Sequence, residues 1–165
     1  MKRAIVWLLL SGCCSLRAAA GNNYALPGFS TGVAWQQKLY IDAAFTYQWQ
    51  FLSKDEKAPA WADDCFTLKF GAVCNTAPKQ FVYGPQLTAE YQWQVLGARL
   101  GITDYIGHDK TGAPVNDLRV TPEIGISLLG VFTLMGGYNI PLGLSHADGL
   151  SRGRVSLCIN FGQLL

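Results

Sequence analysis

Charged residues are scarce in this chain of 165 residues, of which Lys, Arg, Asp and Glu make up 15%. A typical soluble protein has about 25%, and a surface that faces water has about 25–35%. The 13 basic and 11 acidic residues nearly balance, so the chain lacks the strongly basic footprint of a nucleic-acid-binding protein. The composition therefore argues against a nucleic-acid partner and against an ordinary water-facing exterior.

Cysteine and histidine are also few. Beyond the first 20 residues the cysteines are Cys65, Cys74 and Cys158, an odd number that allows no complete disulfide framework. We expect these thiols to be small buried fillers. The two histidines are His108 and His146, and neither a C-x-x-C spacing nor the phosphate-binding pattern G-x-x-x-x-G-K occurs. We therefore expect no metal ion and no cofactor.

The first 20 residues have the composition of a secretory signal peptide. A basic start and an apolar run over 4–10 are followed by three alanines at 18–20, which form a cleavage site. The run is too short to span a bilayer as a helix, which needs about 20 residues. The segment ending at Cys13 also resembles a lipoprotein processing site, so acylation of Cys13 is the alternative. We expect a signal peptide at 1–20 and one domain at 21–165.

Stretches in which apolar and polar residues alternate recur along the rest of the chain. The clearest is Val155-Ser156-Leu157-Cys158-Ile159-Asn160-Phe161, which is apolar on one face of an extended strand and polar on the other. Eight such stretches behind an export signal are typical of a small antiparallel up-and-down β-barrel in a bacterial outer membrane. We predict an all-β fold with strands at 29–36, 39–52, 65–73, 80–93, 95–106, 118–129, 131–141 and 153–161.

The connections between these strands follow the outer-membrane pattern only in the C-terminal half. There, two longer segments rich in turn-forming residues, 107–117 and 142–152, alternate with very short turns, as external loops alternate with periplasmic turns. The N-terminal half shows the reverse pattern: the external loop at 36–38 would be short, and the periplasmic turn at 53–64 would be long. One alternative merges the first two strands into a single long strand, which would leave an odd count.

The polar faces of the predicted strands carry small or neutral side chains and few charges, which suits the crowded interior of an eight-stranded barrel. A charge in such an interior loses most of its water and must be paired. A tight turn after Trp93 would bring Glu90 and Arg99 nearly opposite each other. We predict a lumenal charge network of three acids and three bases: Asp42, Lys69, Glu90, Arg99, Arg119 and Glu123. This network either plugs and stiffens the lumen or lines a path for protons or ions.

Aromatic residues recur at positions suited to the two membrane interfaces. Tyr47-Gln48-Trp49-Gln50 is repeated as Tyr91-Gln92-Trp93-Gln94, and both copies end descending strands. The Tyr and Trp side chains of both copies would face lipid at one interface, because they combine an apolar body with a polar tip. The opposite girdle would contain Trp35, Phe81 and Tyr83. The lipid-facing band between them would include Leu100, Ile124, Ile126, Leu157, Ile159 and Phe161.

Several segments of the second half resemble the end of uncharacterised small outer-membrane β-barrel proteins. They are PEIGISLLG at 122–130, GGYNIPL at 136–142 and RVSLCINF at 154–161, with GPQ at 84–86 and LGARL at 96–100 before them. The terminal aromatic strand is also similar to the signal read by the barrel-assembly machinery, although four residues follow Phe161. The resemblance implies the fold and an outer-membrane location in a Gram-negative bacterium, and it implies no activity.

The sequence favours a structural or surface-interaction role, carried by external loops, over catalysis. Ser145, His146 and Asp148 are neighbours in sequence, whereas catalytic triads are assembled by geometry from distant segments. We therefore expect that the protein is not an enzyme. Its expected partners are outer-membrane lipid, the assembly machinery during insertion and an external ligand that the sequence does not identify, and we expect a monomer. The alternatives are a lipid-modifying enzyme, a narrow pore and a soluble lipocalin-like binding barrel.

Overall fold

A computed structural model describes residues 24–51, 64–77, 81–108, 112–128, 131–143 and 151–161. These residues form nine strand segments: β1 (Tyr24–Gln36), β2 (Lys38–Phe51), β3 (Asp64–Asn75), β4 (Val82–Trp93), β5 (Leu96–His108), β6 (Pro114–Leu128), β7 (Phe132–Tyr138), β8 (Ile140–Pro141) and β9 (Gly153–Asn160). Segments β7 and β8 pair with β6 in one continuous register and form a single barrel strand, interrupted at Asn139. None of the described residues belongs to a helix long and apolar enough to cross a membrane.

The strands close into an eight-stranded antiparallel barrel, which confirms the predicted all-β up-and-down architecture. Each strand pairs with its neighbours in sequence, and the pairing of β1 with β9 completes the circle. The alternative of one merged N-terminal strand is wrong, because β1 and β2 are separate and antiparallel. Gln37 joins them with a φ of 63°. This left-handed conformation is uncommon for a residue other than glycine, and here it lies at the tip of the turn between the two strands.

The predicted strand boundaries are close to the observed ones, except that β1 begins at Tyr24 instead of at residue 29 and that the segment between β5 and β6 was predicted wrongly. The segment 107–117 was predicted as a loop from its turn-forming residues, but β5 extends to His108 and β6 begins at Pro114. Asp117 therefore lies within β6, and its side chain is buried. The predicted signal peptide at 1–20 and the lipidation alternative at Cys13 lie outside the described residues.

The register of the strands fixes how steeply they climb around the barrel. A row around the barrel is obtained by starting at Phe161 and moving from each residue to its pairing partner on the next strand. The row passes through Phe29, Phe45, Phe70, Leu87, Ile102, Val120 and Ile140 and ends at Ser151. Its first and last steps extend the β1–β9 register by one pair and the β7–β9 register by two pairs. Ser151 is ten residues before Phe161 on the same strand. An offset of ten residues over eight strands means that the strands tilt by about 40° from the barrel axis. The row therefore rises by about 25 Å along that axis in one turn around the barrel.

Side chains alternate between a polar interior and an apolar exterior, as the sequence predicts. The buried set includes 24 polar or charged residues, whereas large apolar side chains along every barrel strand are exposed. Two outward-facing residues differ from the predictions. Trp49 is only 5% exposed, because it packs against Tyr47 and Phe66, at ring-centroid distances of 4.7 and 5.5 Å. Cys74 is half-buried on the outer face, not a buried filler.

Inward-facing glycines allow neighbouring strands to approach closely, which gives a prediction. A Cβ atom at Gly125 would collide with the carbonyl oxygen of Leu134, whereas one at Gly136 would have as its nearest neighbour the oxygen of Ile124 at 4.0 Å. We expect Gly125→Ala to lower the free energy of unfolding by about 1–3 kcal/mol, as overpacking does. Gly136→Ala, the matched control on the adjacent strand, should have little effect. Urea unfolding followed by circular dichroism would measure both, and equal effects would contradict the observed strand spacing.

Candidate functional site

The centre of the lumen holds a chain of five charged side chains linked by ion pairs. Lys69 Nζ lies 2.9 Å from Glu90 Oε2, and Arg99 Nη2 lies 2.8 Å from the same oxygen. Arg99 Nη1 lies 3.3 Å from Glu123 Oε2, and Arg154 Nε lies 3.3 Å from Glu123 Oε1. Every one of these side chains is buried, and Glu90 has no exposed surface. Positive and negative charges alternate along this series of ion pairs, so each acid contacts two bases.

The register explains why these groups meet. Glu90 on β4 is directly opposite Arg99 on β5, and Arg99 is directly opposite Glu123 on β6. Directly opposed side chains of antiparallel strands are within contact distance. Lys69 on β3 and Arg154 on β9 reach the same centre with their longer side chains.

Arg99 also makes neutral hydrogen bonds across the lumen. Its guanidinium donates to the hydroxyl of Thr133 on β7 at 3.0 Å and to that of Ser156 on β9 at 3.1 Å. Ser156 in turn donates to Glu123 Oε1 at 2.9 Å. Buried charges are tolerated when their remaining donors and acceptors are satisfied in this way.

The other two predicted network residues, Asp42 and Arg119, are also buried in the lumen. Arg119 forms its ion pair with Asp117 on its own strand, at 2.7 Å, and donates to the carbonyl oxygen of Ser151 at 3.3 Å. Asp42 has the thiol of Cys158 at 3.9 Å from its Oδ2. The six predicted residues therefore lie in one lumen, but the ion pairs join Lys69, Glu90, Arg99 and Glu123 in one group and place Arg119 in another.

Sequence reasoning missed two charged members of the lumen, Asp117 and Arg154. Both could have been found from strand parity. Arg154 lies two residues before Ser156, which the alternating pattern of the last strand placed on the polar face. Asp117 lies two residues before Arg119, but it was assigned to a loop. With these two residues the buried charges still balance, with four acids and four bases among the described residues.

The end of the lumen next to Gln37, which we call the upper end, is closed by neutral polar and aromatic side chains. Gln36 donates to the hydroxyl of Tyr105 at 3.0 Å and accepts from Asn139 at 2.5 Å. Thr121 donates to Asn139 at 2.7 Å. The ring of Tyr40 packs edge-on against Tyr105, with centroids 5.9 Å apart. This layer spans β1, β2, β5, β6 and the β7–β8 strand, and it lies above the central ion pairs of Glu90, Arg99 and Glu123.

Little empty space remains between the side chains of the lumen. A cavity of about 10 Å³ lies among Asp42, Arg99, Glu123, Arg154 and their neighbours. That volume is at the lower limit for a single water molecule. Among the described residues, no group of three His, Cys, Asp or Glu side chains could hold a metal ion. This cavity has no room for an organic ligand.

The candidate catalytic residues of the sequence do not come together in the described part of the chain. His108 is exposed at the last position of β5. Ser145, His146 and Asp148 lie outside the described residues. Of these four residues the structure describes only His108, so it does not bring the candidate residues together.

Comparison with known proteins adds no family assignment. No protein-family model matches the chain, and no curated protein or solved structure is significantly similar to it.

The ion-pair chain gives a prediction about stability. We expect Arg99→Ala to lower the free energy of unfolding by about 3–5 kcal/mol, because Glu90 and Glu123 would stay buried with one base fewer each. Arg152→Ala is the matched control, since Arg152 is exposed at the barrel end, and it should have little effect. Denaturant titration of both variants would measure the difference. Similar losses for the two variants would show that the lumenal ion pairs do not stabilise the barrel.

Proposed function

We propose that this chain is a small outer-membrane β-barrel protein of a Gram-negative bacterium. In this proposal the lumen is a filled structural core, the protein is not an enzyme, and its role is structural or one of surface interaction through its external segments. The observation that carries the proposal is the inverted distribution of side chains, polar inside and apolar outside.

The outer surface of the barrel is suited to lipid. Among the outward-facing residues of the described strands, the acidic ones are Asp64 and Asp104, and Lys, Arg and Glu do not occur. Soluble monomers rarely expose contiguous apolar patches larger than a few hundred Å². The exposed side chains here include Phe45, Phe70 and Ile124, at 73%, 66% and 71%. A soluble lipocalin-like barrel would have the opposite arrangement, with its apolar face inward.

The dimensions of the apolar surface also support this location. The row of outward-facing apolar residues from Phe161 to Ile140 extends over most of a height of about 25 Å along the barrel axis. This height equals that of the apolar band of outer-membrane barrels. Exposed Tyr91 and Trp93 lie near the lower end, which we define as the end with the β4–β5 turn. Exposed Trp35, Phe81 and Tyr83 lie near the upper end. Girdles of aromatic residues at both interfaces are typical of such barrels.

The lumen argues against a pore and against lumenal catalysis. Eight strands enclose an interior just wide enough for side chains, and here ion pairs and the Gln36–Asn139 layer occupy it. The charges alternate in sign, whereas ion-selective pores use rings of one sign. Specificity would then reside on the segments that connect the strands.

The longest connection at the upper end is the segment between Pro141 and Gly153. The other three connections at that end are one residue at Gln37, six residues at 76–81 and five residues at 109–113. If the chain starts in the periplasm, as outer-membrane barrels do, this end faces outward. Because loops on rigid scaffolds often carry binding, we assign the external contacts to 142–152.

A charge placed on the outer face tests the membrane location. Phe70→Arg should destabilise the barrel in lipid by about 2–4 kcal/mol, the cost of an arginine near the bilayer midplane. His108→Arg is the control, since His108 faces outward beyond the apolar band and the change should be nearly neutral. Unfolding in phospholipid vesicles would measure both. A Phe70→Arg protein that is equally stable, or that is soluble without detergent, would contradict the proposal.

Replacement of the upper segment tests where the interactions reside. A short Gly-Ser turn in place of 144–150 should leave the barrel assembled, because it retains Ser151, whose carbonyl oxygen accepts from Asn139 and Arg119. Heat-modifiable migration on gels would show assembly. The variant should fail to restore the envelope defects of a deletion strain. Restoration by this variant, porin-like conductance, or a lipid modification that is lost in His146→Ala would each contradict the proposal.

A further inference from the structure

A groove of about 390 Å³ runs along the outer face near the lower end of the barrel. It is lined by Asp64, Tyr91, Trp93, Leu96, Ala98 and Ile124, with the backbone at Gly97. Its cause lies in the register. Ala98 on β5 is directly opposite Tyr91 on β4 and directly opposite Ile124 on β6. A methyl group between two large outward-facing side chains leaves a depression along β5.

The lower end of this groove carries an acidic group that is held in place. The hydroxyl of Tyr91 donates to Asp64 Oδ2 at 2.8 Å. Asp64 is the first residue of β3 and is half-buried on the outer face. Its carboxylate retains acceptor capacity, since an ionised carboxylate has about four lone-pair sites. Along the tilted strands, Asp64 and Ile124 differ by about 15 Å in height, so the groove extends from the interface into the apolar band.

We infer that this groove is a binding site for a phospholipid with a primary ammonium headgroup, such as phosphatidylethanolamine. The apolar channel over Ala98 takes part of one acyl chain. Asp64 accepts hydrogen bonds from the ammonium, and Tyr91 orients the carboxylate. Trp93 covers the headgroup region with an aromatic ring, which suits the wet boundary of a bilayer. This inference rests on the proposed membrane location, and it adds the lipid class and the residues that select it.

Charge and hydrogen bonding decide between headgroups. An ammonium group offers three N–H donors to a carboxylate, whereas the quaternary ammonium of phosphatidylcholine offers none. Charge-assisted hydrogen bonds are about twice as strong as neutral ones. At an exposed site the gain is small, so we expect a preference for phosphatidylethanolamine of about threefold.

Competition between two lipids of equal acyl composition tests the headgroup. The full-length protein is refolded into vesicles of equimolar phosphatidylethanolamine and phosphatidylcholine and extracted into mild detergent. Native mass spectrometry then counts the lipids that remain bound. We expect the wild-type protein to retain about threefold more phosphatidylethanolamine and Asp64→Asn to retain the two equally. Asp104→Asn, the other outward-facing aspartate, is the matched control and should keep the preference.

A second pair of variants tests the groove itself. Ala98→Phe fills the depression and should reduce bound lipid of both headgroups by at least half. Ala43→Phe, at an outward-facing alanine of β2 outside the groove, should not. No preference in the wild-type protein, an unchanged preference in Asp64→Asn, or equal effects of the two phenylalanines would overturn the inference while leaving the membrane proposal intact. Failure of the wild-type protein to insert into the vesicles would overturn both.

Discussion

The contacts of Arg99 tie the barrel together across its lumen. Its guanidinium contacts Glu90 on β4, Glu123 on β6, Thr133 on β7 and Ser156 on β9, so with its own strand it links five strands. A buried guanidinium is favourable only when its donors find partners, because the cost of removing it from water is several kcal/mol. The strands must therefore keep their register for these partners to coincide. The central ion pairs form only in this strand register, and once formed they stabilise it.

Strand parity made most of the fold predictable from the sequence. The alternation of Val155, Leu157 and Ile159 with Ser156, Cys158 and Asn160 assigned both faces of β9 correctly. The register of Glu90 with Arg99 followed from one short turn, because a two-residue connection fixes which residues face each other. Strand parity and turn length are local properties of the sequence, and closure of the barrel does not change them.

Other features were not predicted, either because a segment was assigned to a loop or because they depend on side-chain contacts that parity does not encode. Arg119 was grouped with Glu123 by charge balance, but its ion pair is with Asp117, which was hidden by the reading of 107–117 as a loop. Trp49 has the parity of an exposed residue but is buried by the rings of Tyr47 and Phe66. The hydrogen bond between Gln36 and Asn139 joins residues 103 positions apart. That hydrogen bond follows only from the offset of ten residues with which the barrel closes.

The distribution of side chains makes the surroundings of the barrel part of its stability. In water the hydrophobic effect drives apolar side chains into a core, but here the interior is occupied by ion pairs and polar layers. The ring of outward-facing Phe, Leu, Ile and Val residues would remain exposed to water in an isolated chain. In the proposed membrane location, lipid would bury that surface and contribute about 25 cal/mol for each Å² removed from water. Closure of the sheet satisfies the backbone hydrogen bonds without solvent, as the proposed membrane location would require. Folding and insertion would then be a single process, in which the ion pairs set the register and the lipid provides most of the driving force.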